Sequence, residues 1–171
     1  RRTEQLLMVP ETVWPEALNE TNSGKELYRN YLIPITMVIS IMVLLINLIN
    51  YNFWQATGLT IINLIAMLIG NWFAYLITRE YLCRKLSFDT NLALNLTVYS
   101  GVIFIIFLGQ LFTLLSFTFI RTLYKGLGQI PRLHPGQKTN ILVISSLAII
   151  CIPVIINQLL MIIFGISAFN I

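Results

Sequence analysis

The sequence predicts an all-α, polytopic transmembrane helix bundle of five spans with its N-terminus in the cytoplasm. Three observations predict it. First, the chain is 57% hydrophobic and 11% charged, with a mean hydropathy of +0.79, whereas a soluble domain carries about 25% charged residues. A water-exposed surface cannot be built from that composition. Second, Asp, Glu, Lys, Arg and His are missing from Asn30 to Thr78, from Thr90 to Ile120 and from Thr139 to Ile171. Each tract exceeds the roughly 20 apolar residues that a helix needs to cross the hydrocarbon core. Third, runs such as Ile141 to Ile144 and Ile149 to Ile156 are apolar on every face, which excludes the alternating pattern of a β-barrel.

Residues 1–31 form an N-terminal segment with five of the seven acidic groups and no apolar run, so no cleavable signal sequence is expected there. Leu6, Leu7, Trp14 and Leu18 are expected to form the apolar side of an interfacial helix, with Glu4, Glu11, Glu16 and Glu20 on its wet side. Pro10 and Pro15 are expected to break or bound it.

The membrane domain is expected over 32–171. In the first tract, Tyr51, Asn52, Phe53 and Trp54 interrupt two apolar runs with residues suited to the headgroup level, giving spans at about 32–50 and 55–77. The second tract reads either as one long tilted helix or as two short ones. A turn near Gly109 and Gln110 divides it into spans at about 92–108 and 111–127. The last tract supplies the fifth span, about 140–164.

Charge asymmetry chooses between four spans and five, because Lys and Arg are enriched in cytoplasmic loops. Five spans put all eleven Lys and Arg on one side; four would leave the group from Arg121 to Lys138 outside. The expected location is therefore the cell inner (cytoplasmic) membrane, N-terminus inside. Cys83 and Cys151 fall at different depths, so no disulfide is expected between them.

With these elements placed, the chain resembles the Yip-one domain family of Ypt/Rab-interacting proteins, and looks like its short bacterial members. The resemblance covers nearly the whole length. It rests on LLMVPETVWPEAL at 6–18, on GKELYRNYLIPI at 24–35 with Pro34 opening the first span, and on TLYKGLGQIPRL at 122–133 before a last apolar helix. The resemblance implies a five-span layout and a membrane-organising role. The eukaryotic members' aspartate-leucine-tyrosine-glycine-proline stretch has no counterpart here, so Rab GTPase binding is not carried over.

Polar residues inside the spans are the candidate packing or pathway positions. Asn63, Gly70 and Asn71 share a face at i, i+7 and i+8, and Asn95 and Tyr99 form a second patch at i, i+4. Pro153, followed by Asn157 and Gln158, is expected to kink the last span. Interhelical packing is the favoured role, since coupled carriers place ionisable groups at depth and the charge-free tracts offer none there. An uncoupled transporter or permease subunit is the competing reading, in which Asn63, Asn71, Asn95 and Gln158 converge on one cavity.

The segment from Lys125 to Lys138 is expected to be the longest cytoplasmic loop, rich in turn formers. Trp14, Arg121, Lys125, Arg132, His134 and Lys138 are the candidate cytoplasmic contacts, with anionic lipid or with a protein partner. Catalysis finds little material. One His and two Cys do not make a typical zinc set, no Ser-His-Asp order is available, and no phosphate-binding glycine loop occurs. An enzyme using Tyr, His134 and Asp89 would need them in one pocket. The expectation is a non-enzymatic scaffold or accessory subunit with no cofactor and no nucleic-acid partner. Its expected partners are membrane lipids and other membrane subunits or copies of itself.

Overall fold

A computed structural model describes residues 5, 8, 10–20, 24–108, 118–130 and 133–165. The described residues are overwhelmingly helical: α1 (Pro10–Asn19), α2 (Gly24–Asn50), α3 (Phe53–Lys85), α4 (Thr90–Leu108), α5 (Thr118–Gly128) and α6 (Pro135–Phe164).

Helices α2, α3 and α6 are long and apolar enough to cross a membrane, and only 22%, 39% and 17% of their most apolar windows are buried. Their uncovered faces carry Ile41, Leu45 and Ile49 on α2, Ile61 and Phe73 on α3, and Leu147, Ile155 and Ile162 on α6. An apolar surface of that extent is compatible with lipid, not water.

Helix α4 is the opposite case, with every residue from Ala93 to Ile105 buried. It is mostly apolar, its few polar residues such as Asn95, Thr97 and Ser100 are buried too, and it packs among the other helices as a helix with no wet face must.

Helix α5, with 11 residues, rises only about 16 Å. It buries Phe119, Leu123 and Leu127 and exposes Arg121 and Tyr124. Its direction is opposite to that of α4: Phe104 meets Phe119 with ring centroids 5.3 Å apart, while Trp14 touches both Tyr99 and the later residues Thr122 and Gly126.

The helix ends differ from the sequence expectation in physically explicable ways. Helix α2 starts at Gly24 rather than near residue 32. It passes through a π-helical stretch at Tyr28–Leu32, where the Ile33 N–H reaches back to the Tyr28 carbonyl. Pro34 follows directly and offers no N–H to the turn before it. Asn52 starts α3 by accepting a hydrogen bond from the Gln55 N–H at 2.9 Å, and α3 continues past residue 77 through a π-helical stretch at Glu80–Lys85. The expected loop over 125–138 contracts, because α5 runs to Gly128 and Pro135 opens α6, its missing N–H costing nothing at a first helical turn. Helix α6 closes on Gly165 at φ 61°, a left-handed cap that favours glycine.

Pro15 does not break α1 as expected: it lies inside the helix. The neighbouring Trp14 is fully buried, and that anchoring outweighs one lost backbone bond. The expected turn at Gly109 and Gln110 and the first part of the expected span 111–127 lie outside the described residues.

Contacts between helices bring their ends together. Gly70 meets Pro153 and Thr78 meets Ser145, so α3 and α6 run antiparallel. Glu11 pairs with Lys125, Gly24 lies against Leu94, and Lys85 and Gln137 line one cavity. Every described Lys and Arg therefore gathers at one end of the bundle.

Candidate functional site: the polar seam around α4

Three contacts, each built on a small or polar residue, hold the bundle together. At the charged end, α1 and the residue after it dock on α4 and α5. The Trp14 indole Nε1 donates to the Thr122 carbonyl at 2.9 Å, with the ring against Gly126, where a Cβ would lie 2.8 Å from Trp14 Cε2. Glu20 then receives two polar groups of α4. Asn95 Nδ2 donates to the Glu20 carbonyl at 2.9 Å, and the Tyr99 hydroxyl donates to Glu20 Oε2 at 2.5 Å. Tyr31 stacks edge-on against Tyr99, with centroids 4.9 Å apart.

Deeper in the bundle, the Tyr28 hydroxyl donates to Asn71 Oδ1 at 3.0 Å. The amide of Asn71 fills the notch left by Gly101, where a Cβ would be 1.9 Å from Asn71 Nδ2. Trp72 lines the same place, its ring 5.5 Å from that of Tyr28. Between α3 and α6, Gly70 leaves room for Pro153, 2.6 Å from a hypothetical Cβ, and Thr78 donates to Ser145 Oγ at 3.1 Å. Where lipid gives helices no hydrophobic drive to associate, close approach at small residues and interhelical hydrogen bonds hold them together.

Among the described residues, three buried polar atoms have no hydrogen-bond partner: Asn95 Oδ1, Ser100 Oγ and Ser146 Oγ. Two of them lie on α4, and buried polar atoms ordinarily find partners.

The structure thus joins some of the sequence candidates and separates others. Gly70 and Pro153 meet between α3 and α6, Asn71 lies between Tyr28 of α2 and Gly101 of α4, and Asn95 and Tyr99 share Glu20. Asn63 is half-buried on α3, Gln158 is exposed on α6, and Asn157 donates to Met161 Sδ on its own helix at 3.7 Å. Asn71 and Asn95 serve different partners, and the exposed Gln158 joins neither.

Trp14 is wholly inside rather than an outward contact. Arg121 and His134 are exposed, and Lys125 is held by Glu11. Lys138 lines a cavity of about 250 Å³ with Glu11 and Lys125. Arg132 lies outside the described residues.

His134 and Asp89 have separate local tasks. The His134 N–H donates to Gln137 Oε1 at 3.1 Å at the start of α6, and Asp89 Oδ1 accepts from Thr90 Oγ1 at 3.2 Å.

Sequence reasoning missed Glu20, Tyr28 and Gly101. Glu20 reads as one more wet acid, and the signal that it docks is only the reach of Asn95 and Tyr99 one turn apart. Glu11, expected on the wet side of the N-terminal helix, is exposed. The adjacent Lys125 ammonium, by hydrogen bond and by charge, holds its carboxyl below the ordinary value.

No family model, no curated protein and no solved structure matches the chain.

Proposed function

We propose that this chain is a non-enzymatic integral membrane interaction protein, a scaffold or accessory subunit. In this reading it has five spans, sits in the cytoplasmic membrane with its N-terminus inside, and resembles the Yip-one domain proteins. The observation that carries the reading is the use made of the polar groups inside the bundle. Asn71, Asn95, Tyr99, Thr78 and Ser145 are engaged with other helices or with the docked N-terminal segment, and Gly70, Gly101 and Gly126 are filled by neighbouring side chains. Groups so engaged hold helices rather than line an aqueous route.

The gathering of cations at one end supports the cytoplasmic placement of that end. The antiparallel run of α4 and α5, with Lys125 returning to Glu11 beside the start of α4, supports two legs rather than one long helix in the second tract. That gives an odd number of spans and an outward C-terminus.

Purification of the full chain in a gentle detergent, with mass photometry and mass spectrometry of the eluate, tests the role. A stoichiometric membrane-protein partner supports it, and a monomer free of any partner removes its basis.

A small uncoupled transporter is the second reading, favoured by the unpartnered Asn95 Oδ1 and Ser100 Oγ on the central helix. Glycerol flux into reconstituted vesicles decides it: a rate equal to that of empty vesicles excludes a neutral-solute pathway of that size.

A further inference from the structure

The last turns of α3 leave a groove that nothing in the polar seam uses. Where the helix winds as π-helix from Glu80 to Lys85, a cavity of about 490 Å³ opens between α3 and α6. Its floor is apolar, made by Leu76 and Ile77 of α3 and Ile144 of α6. The charged residues Glu80, Arg84 and Lys85 complete its lining, and the side chains of Glu80 and Arg84 are mostly exposed. Arg84 Nη1 is 2.7 Å from Glu80 Oε1, so one cation is already met by an acid. Lys85 holds its ammonium over the Tyr81 ring, 5.4 Å from the centroid. It also lines a second cavity, of about 420 Å³, with Leu86, Phe88 and Gln137.

The groove therefore joins an apolar trough to a mouth with one excess positive charge, at the end of the bundle where the cations collect. We propose that it holds an anionic phospholipid of the surrounding bilayer. The acyl chain lies along Leu76, Ile77 and Ile144, and the phosphodiester meets Lys85, with Arg84 shared between phosphate and Glu80. Basic pockets between membrane helices on the cytoplasmic side have this character. A lipid fits better than a free phosphate because a phosphate alone would leave the trough uncovered. The sign of the excess charge selects an anionic headgroup over a zwitterionic one. This inference needs the membrane setting but is independent of the scaffold reading, and a protein with no partner could still show it.

The test uses the full chain in nanodiscs of phosphatidylcholine with a minority of phosphatidylglycerol. Retained lipid is counted by native mass spectrometry after release, and a photoreactive phosphatidylglycerol maps the contact. Wild type is expected to retain phosphatidylglycerol in preference to phosphatidylcholine and to cross-link to α3 between residues 76 and 85. Lys85→Gln weakens that preference about fivefold, the ratio that corresponds to about 1 kcal/mol for one cation near a headgroup.

Glu80→Gln frees Arg84 and shifts the preference the other way, a gain that misfolding cannot imitate. Glycerol phosphate at millimolar concentration leaves the lipid in place. Equal retention of the two lipids by wild type, a shift of the two variants in the same direction, or displacement by glycerol phosphate would each overturn the proposal.

Discussion

At Gly70 the nearest atoms to a hypothetical Cβ include the Pro153 Cα at 2.7 Å. The obstacle is backbone, so a methyl group there must push α3 and α6 apart. Gly70→Ala is therefore expected to lower stability by about 1–3 kcal/mol, the usual cost of overpacking. Gly128 and Gly136 have nothing within 4 Å of the same hypothetical atom. Gly128→Ala and Gly136→Ala are expected to be neutral or slightly stabilising, because alanine is the better helix former by up to about 1 kcal/mol. Thermal unfolding in detergent, followed by loss of monodisperse protein, ranks the three. The idea that Gly70 is a contact glycine fails if all three behave alike.

Trp14 is the second residue on which a local argument turns. Trp14→Phe keeps a ring against Gly126 but removes the donor to the Thr122 carbonyl, at an expected cost of about 1 kcal/mol. Its indole is buried beside Tyr99, so the native tryptophan emission from this site should be blue relative to an exposed indole. A Trp14→Phe difference spectrum resembling that of free tryptophan would contradict the burial.

At the scale of elements, α1 is held to the bundle by its buried Val13, Trp14 and Ala17, by the pairing of Glu11 with Lys125, and by Glu20 on α4 just beyond the helix end. The Glu11 carboxyl titrates below its ordinary value when docked. Its pairing with Lys125 thus favours the docked helix above the ordinary carboxylate range. That contribution is lost as pH falls through the lowered folded-state value. Glu11 is largely solvated and Lys125 partly so, and the effect is therefore modest and weaker in high salt. Limited proteolysis of α1 is expected to quicken as pH falls through this acid range. Glu11→Gln should make cleavage faster at neutral pH and flatten that dependence. An unchanged pH profile in Glu11→Gln would exclude the Glu11–Lys125 pair as the source of the pH dependence.

At the scale of the whole molecule, the bare apolar faces of α2, α3 and α6 and the buried α4 make an inside-out distribution relative to a soluble bundle. The five-span reading makes a prediction for labelling by a membrane-impermeant maleimide in intact spheroplasts, starting from a chain with Cys83 and Cys151 replaced by serine. Glu16→Cys and Tyr124→Cys are expected to react only after the cytoplasmic face is opened. Tyr51→Cys, at the other end of α2, is expected to react without it. Reaction of Tyr124→Cys and Glu16→Cys from opposite faces would contradict the contact of α1 with α5 and end the five-span reading.

The sequence by itself determined the class and the long elements. The charge-free tracts around α2, α3 and α6 must satisfy their backbones internally in lipid, and only a helix does that within one segment. It also made Gly70, Asn71, Asn95 and Tyr99 stand out, because polar or minimal side chains in such tracts are few. Which of them meet was decided by the tertiary structure. Asn71 finds Gly101, Gly70 finds Pro153, and Asn95 and Tyr99 find Glu20 across the gap between two helices, and no periodicity within one helix encodes the identity of its neighbour. Pro15 inside α1 and the extension of α3 to Lys85 have the same origin, since local propensity amounts to about 1–3 kcal/mol and the burial of one anchored side chain is enough to override it.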